Sequence, residues 1–154
     1  MIDRAIRCGG KTRERAQWVA LSLLIVLALG GPSVEMARIL VVDDEPDERF
    51  LVGRVLRREG HEVAVAGNGA AALEAVQECR PDLVVTDIMM PVMDGAELIR
   101  RLRGDPATAA IPLLAASGDT RLAGAADAIL AKPYENHQLV EIVSALLEKG
   151  SSGR

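Results

Sequence analysis

Five short apolar runs alternate with stretches of helical periodicity, and this alternation narrows the possible folds more than any other feature of the chain. Ile39-Leu40-Val41-Val42 runs directly into Asp43-Asp44, and Leu83-Val84-Val85 into Thr86-Asp87. Continuous apolar runs of this length suit strands covered on both faces, as in parallel sheets. Glu62–Ala66 (EVAVA), Pro112–Ala116 and Ala128–Leu130 supply three more strands. Between the runs, Phe50, Leu51, Val55 and Leu56 mark a helical stripe within Asp47–Arg58, and Leu73 and Val76 another within Ala70–Cys79. Leu98 and Leu102 mark a third, from Gly95 to Arg103, which Asp94 can cap. The clearest helix is the last, where Leu139, Ile142, Val143, Leu146 and Leu147 sit at i, i+3, i+4, i+7 and i+8. The pattern predicts an α/β chain, a doubly wound five-stranded parallel sheet of the (βα)5 kind. In such sheets ligands bind beyond the carboxyl ends of the strands.

Five polar residues fall at those ends. Asp43 and Asp44 end the first strand, Asp87 the third and Ser117 the fourth, and Lys132 follows the fifth. Singly, each has a bland explanation. A strand-end Asp often only caps a helix, and a Ser after a strand is usually turn chemistry. Together they gather three carboxylates, a hydroxyl and an ammonium on one sheet edge. Close carboxylates repel one another, and a divalent cation removes the conflict. Oxygen-only ligands point to Mg²⁺, with Mn²⁺ the other choice, and away from zinc. Such an ion leaves one carboxylate oxygen to attack phosphorus, as aspartyl-phosphate chemistry requires. Lys132 and Ser117 would then stabilise the charge on the phosphoryl oxygens.

On these residues the chain resembles the receiver domains of two-component response regulators, from Met36 (MARILVVDDEP) to about Lys149. The motifs carrying the likeness are VVDDEP at 41–46, TDIMMPVMDG at 86–95, Ser117 five residues past Pro112, and AKPY at 131–134. The resemblance implies a flavodoxin-like fold and a phospho-accepting signalling domain rather than an enzyme. It casts Asp87 as phospho-acceptor and Asp43 and Asp44 as the acidic pair. Asp44 would bind Mg²⁺ directly and Asp43 through water, with the Met89 carbonyl as a further ligand. It casts Ser117 and Lys132 as phosphoryl-binding groups, with a cis Lys132-Pro133 bond. The implied partners are a sensor histidine kinase or a histidine phosphotransfer protein, and a downstream protein of unknown identity. The reading is a stand-alone receiver at 36–149 with a tail at 150–154. Its runner-up is a degenerate receiver that binds partners independently of phosphorylation.

The chain departs from the family pattern in two places. Fourteen residues separate Ser117 from Lys132, about two helical turns short, so the fourth helix is expected to be shortened or missing. Ile129 stands where many members carry a switch Tyr or Phe. Two rival chemistries fail on their residues. Gly67-Asn68-Gly69-Ala70-Ala71-Ala72 imitates a dinucleotide fingerprint, but it follows the second strand and reads better as a turn. An aspartyl-phosphate phosphatase needs a second Asp two residues past the nucleophile, where Met89 stands. His61 and His137 lack partners at metal spacing, and Cys79 is expected to be a small buried hydrophobe.

Composition settles the remaining classes. The net charge of −4 argues against nucleic acid as a direct partner, and three aromatic residues cannot build a base-stacking surface. Cys8 and Cys79 are too few and too far apart for a disulfide scaffold or a Cys-based zinc site. Residues 1–35 differ from the rest. Arg4, Arg7, Lys11, Arg13 and Arg15 precede a twelve-residue apolar run, Trp18–Leu29, which Gly30-Gly31-Pro32 ends. The run is short of the roughly 17–25 residues of a membrane span. Three readings compete: a signal or anchor segment, a helix packed on the domain, or a misassigned start with translation from Met36. The third is preferred, because MARILVV is a natural opening for a receiver. A receiver must also meet its kinase in the cytoplasm, and a membrane role follows only if residues 1–35 are genuine.

Overall fold

The computed structural model describes residues 36–152, with Leu24 and Ala28 the only positions given before them. The expectations for residues 1–35, and for the last two residues of the tail, lie outside the described residues. From Met36 onward, strand and helix alternate. They run β1 (Arg38–Val42), α1 (Pro46–Arg58), β2 (Glu62–Ala66), α2 (Gly69–Glu78), β3 (Leu83–Asp87), α3 (Gly95–Gly104) and β4 (Leu113–Ser117). A single 3-10 turn (Thr120–Ala123), β5 (Ala128–Ala131) and α4 (Asn136–Ser152) complete the order. The strands are all parallel, in the order β2-β1-β3-β4-β5. This is the predicted doubly wound, flavodoxin-like sheet, with its switch point between β1 and β3.

Alternate strand residues feed two separate cores. Ile39, Val41, Leu83, Val85, Leu114 and Leu130 face the layer of α1 and α4, against Val52, Leu56, Leu139, Val143 and Leu146. Leu40, Val42, Val84, Leu113 and Ala115 face the layer of α2 and α3, against Ala72, Val76, Leu98, Ile99 and Leu102. This two-sided burial explains why the strands read as unbroken apolar runs.

The helix starts are specified locally. Asp94 accepts from the Glu97 N–H at 2.8 Å and caps α3 as expected. Asn68 does the same for α2 through the Ala71 N–H, also at 2.8 Å. The glycine-rich segment at 67–72 is thus a capped strand-to-helix turn. Gly69 within it leaves no room for a side chain, since a Cβ there would lie 2.8 Å from Met93 Cγ.

The short β4–β5 connection contains a 3-10 turn in place of a helix, as its length predicted. The consequence shows on β5. Leu130 is buried beneath α4, whereas Ile129, on the opposite face, is 41% exposed because no full helix covers it. Among the described residues, no helix is long and apolar enough to cross a membrane.

Candidate functional site

The ends of two neighbouring strands at the carboxyl edge of the sheet bring the acidic residues together. β1 ends at Val42, so Asp43 and Asp44 lie just beyond it, and Asp87 is the last residue of the neighbouring β3. One carboxylate oxygen from each of Asp43, Asp44 and Asp87 lies within 4.8 Å of the others. Lys132 leans in from β5, its Nζ 3.7 Å from Asp87 Oδ1 and 3.8 Å from Asp43 Oδ2. The four side chains therefore meet at the switch point.

The backbone around them is tightly determined. The Ile88 N–H donates to Asp87 Oδ1 at 2.8 Å and orients that carboxylate. Beneath it, the Gly95 N–H donates to the Ile88 carbonyl at 2.9 Å. A Cβ on Gly95 would lie 2.1 Å from the Asp87 carbonyl oxygen, so this approach of α3 to β3 requires glycine. In the intervening loop, Val92 has φ 73°, a strained conformation for a β-branched residue. Asp43 is fixed from three sides. Its N–H donates to Ala66 O at 3.1 Å, its carbonyl accepts from Arg49 Nη1 at 2.6 Å, and its Oδ1 accepts from the Glu45 N–H at 2.9 Å.

Electrostatics separate these groups. Burial pushes the Asp43 carboxyl up to about 6, with the Asp87 charge adding to it and the Glu45 N–H and Lys132 opposing. Burial pulls the Lys132 ammonium down, but its hydrogen bond to Glu48 and the charges of Asp87 and Asp43 outweigh that and leave it raised. Burial likewise pushes the Tyr134 phenol up.

Two further expected participants are Ser117 and Met89. Ser117 is fully buried, and its hydroxyl is engaged with the backbone of Asp119, donating to the carbonyl at 3.0 Å and accepting from the N–H at 3.1 Å. Met89 is 67% exposed, and the contribution expected of it is its backbone carbonyl. The Lys132-Pro133 bond is cis, as expected. The bland readings of the histidines and the cysteine need one change. His61 accepts from the Ala37 N–H at 3.3 Å, a structural role. Cys79 is half-buried beside the Arg38 guanidinium and is not a free thiol.

The sequence reading missed Glu48, whose Oε2 accepts from Lys132 Nζ at 2.6 Å. That hydrogen bond holds the Glu48 carboxyl below its usual range. The available signal was its place in the first turn of the helix that directly follows the Asp43-Asp44 pair.

The donor set suits a hard divalent cation: three carboxylates, no nitrogen or sulfur, and an ammonium at the rim. Comparison with known proteins agrees with this architecture. The family model "Response regulator receiver domain" matches residues 39–144. The DNA-binding response regulator MtrA of Mycolicibacterium smegmatis is 44% identical over 117 residues, covering 73% of this chain and 51% of that protein. The chain thus spans about half the length of the curated relatives it matches. The chemotaxis response regulator CheY4 of Vibrio cholerae superposes with a TM-score of 0.68 at 30% identity, over 73% of this chain and 99% of that one. The receiver domain of a sensor histidine kinase from Pseudomonas aeruginosa gives a TM-score of 0.70 at 25% identity, over 74% and 99%. That crystal structure has a magnesium ion coordinated in its active-site cleft.

Proposed function

The chain belongs to the response regulator receiver domain family, and from that premise we propose that it takes a phosphoryl group from a phosphohistidine onto Asp87. The observation that supports this reading is the convergence of Asp43, Asp44 and Asp87 within 4.8 Å, with the Lys132 ammonium 3.7 Å from Asp87. An Asp87 carboxylate oxygen attacks phosphorus in line with the phosphorus–nitrogen bond. That bond breaks as the oxygen–phosphorus bond forms, and the imidazole leaves with the electron pair. Asp43, Asp44 and Asp87, with the Met89 carbonyl, would hold Mg²⁺ or Mn²⁺. When bound, the ion supplies positive charge for the phosphoryl oxygens.

Lys132 would neutralise a phosphoryl oxygen at Asp87. Ser117 joins once its hydroxyl leaves the Asp119 backbone. Asp43 and Asp44 hold negative charge beside the acceptor, so without a cation the site disfavours an incoming phosphoryl dianion.

The donor is a sensor histidine kinase or a histidine phosphotransfer protein, which puts the domain in the cytoplasm. The chain then signals by protein–protein contact or onward phosphotransfer. The test incubates the full chain with a small-molecule phosphodonor and Mg²⁺ and follows the intact mass. One phosphoryl adduct is expected, absent without Mg²⁺ and in the Asp87→Asn variant. A folded, Mg²⁺-binding protein that takes up no adduct would overturn the reading in favour of a phosphorylation-independent binding module.

A further inference from the structure

Glu48 is the carboxylate closest to Lys132, and the transfer chemistry above gives it no part. Its placement follows from how α1 begins. Pro46 occupies the first turn of α1, with Asp47 and Glu48 after it. A Glu three residues past the N-cap commonly reaches back to the N-cap N–H. Here that N–H, on Glu45, already donates to Asp43 Oδ1 at 2.9 Å. The Glu48 side chain is therefore released to extend across the rim, where it meets Lys132 at 2.6 Å. Asp87 and Asp43 lie more than 1 Å further from that ammonium, at 3.7 and 3.8 Å.

We propose that Glu48 is a positioning residue that competes with the phosphoryl group for the Lys132 ammonium and so sets how firmly the site retains that group. The inference rests on the phospho-acceptor reading above. Asp43 and Asp87 belong to the acidic cluster, and a cation there draws off their charge. Glu48 neighbours Asp43 but is not one of the three converging carboxylates, so it keeps its claim on the lysine. The ammonium is a compact charge with three donors on a flexible stem. It can turn to a phosphoryl oxygen, but only by stretching or giving up its shortest contact. The pair is partly exposed, at 24% for Lys132 and 47% for Glu48, so the competition is modest in size.

The probe is beryllofluoride, a phosphoryl mimic, titrated into the full chain with saturating Mg²⁺. Glu48→Gln is expected to bind it about fivefold more tightly than wild type. Glu48→Asp keeps the charge but is a methylene too short to hold Lys132, and it is expected to behave like Glu48→Gln. The chain has only three lysines, so the Lys132 side-chain NMR signals can be assigned by substitution. They are expected to differ between wild type and both variants in the free protein and to converge once the mimic is bound. A Glu48→Asp variant that binds like wild type would show that only the field of the charge matters, and would overturn the competition. Three equal affinities would overturn it as well. A wild type that fails to bind the mimic is a separable result, since it removes the phospho-acceptor reading on which the proposal stands.

Discussion

Burial acts in opposite directions on an acid and a base, and the two cases stand side by side in this fold. Asp43 is 6% exposed, and its carboxyl is pushed up to about 6. His61 is half-buried just before β2, and burial pulls its pKa below the usual value, with only the Glu59 charge opposing. The neutral ring suits the site, because its Nδ1 accepts from the Ala37 N–H at 3.3 Å and a protonated ring has no acceptor nitrogen. The folded-state pKa of His61 therefore lies below the unfolded value of 6.5. The stability it contributes is complete above that unfolded value and is lost as pH falls through the folded one. Asp43 has the opposite sign, since its raised pKa favours the metal-free fold at lower pH. The two effects offset each other, so the readout is a difference between proteins. Urea unfolding at about pH 7.5 and about pH 5.5 is expected to show a larger loss on acidification in wild type than in His61→Gln. Equal losses in the two proteins would remove His61 from the account.

The β4–β5 connection tests the fold at the scale of an element. Without a full helix there, one side chain from α3 ties the end of that segment to the connection before β4. The Arg103 guanidinium donates to the carbonyls of Ala109, Ile111 and Ala125 at 2.6, 2.9 and 3.2 Å, and to Asp127 Oδ2 at 2.5 Å. The same Asp127 oxygen accepts from the Leu113 N–H at 2.7 Å, tying the connection to the first residue of β4. Arg103→Ala is expected to cost about 1–3 kcal/mol, because charge-assisted bonds are lost and their acceptors stranded. Urea unfolding checks the size, and hydrogen exchange is expected to quicken most between residues 118 and 127. A change below about 0.5 kcal/mol, the range of an ordinary surface substitution, would show that the clamp is not needed. This element also marks the limit of what the sequence could reveal. The short connection was legible because length is a count, and so were Asp43, Asp44, Asp87 and Lys132, because each directly follows or ends an apolar run. The Arg103–Asp127 and Glu48–Lys132 pairs span 24 and 84 residues and depend on rotamers and strand order rather than on any periodic pattern. The orientation of the Ser117 hydroxyl is likewise fixed by a turn two residues further on.

At the scale of the whole molecule, the strand order is what forces three carboxylates together. β1 and β3 are neighbours in the sheet with Val42 paired to Thr86, so the residues after each strand must emerge side by side. A fold that buries its cores on both faces of this sheet cannot relax the clustering without breaking that register. The stability of the whole domain is therefore coupled to whatever offsets the charge. A ligand that binds only the folded state adds RT ln(1 + [L]/Kd), about 2.7 kcal/mol at a hundredfold excess over Kd. Mg²⁺ at that excess is expected to raise the melting temperature by roughly 10 °C over the chelator-treated protein. Asp44→Asn separates this linkage from a general salt effect, because it acts with opposite signs in the two conditions. In chelator the variant is expected to melt at or above the wild-type temperature, since one of three mutually repelling charges is gone. In Mg²⁺ it is expected to gain little, since a ligand is gone. Thermal melts of both proteins, with Mg²⁺ and with chelator, read all four values. If the two proteins gained equally from Mg²⁺, the ion would be acting elsewhere on the surface, and the acidic cluster would lose its part in holding the cation.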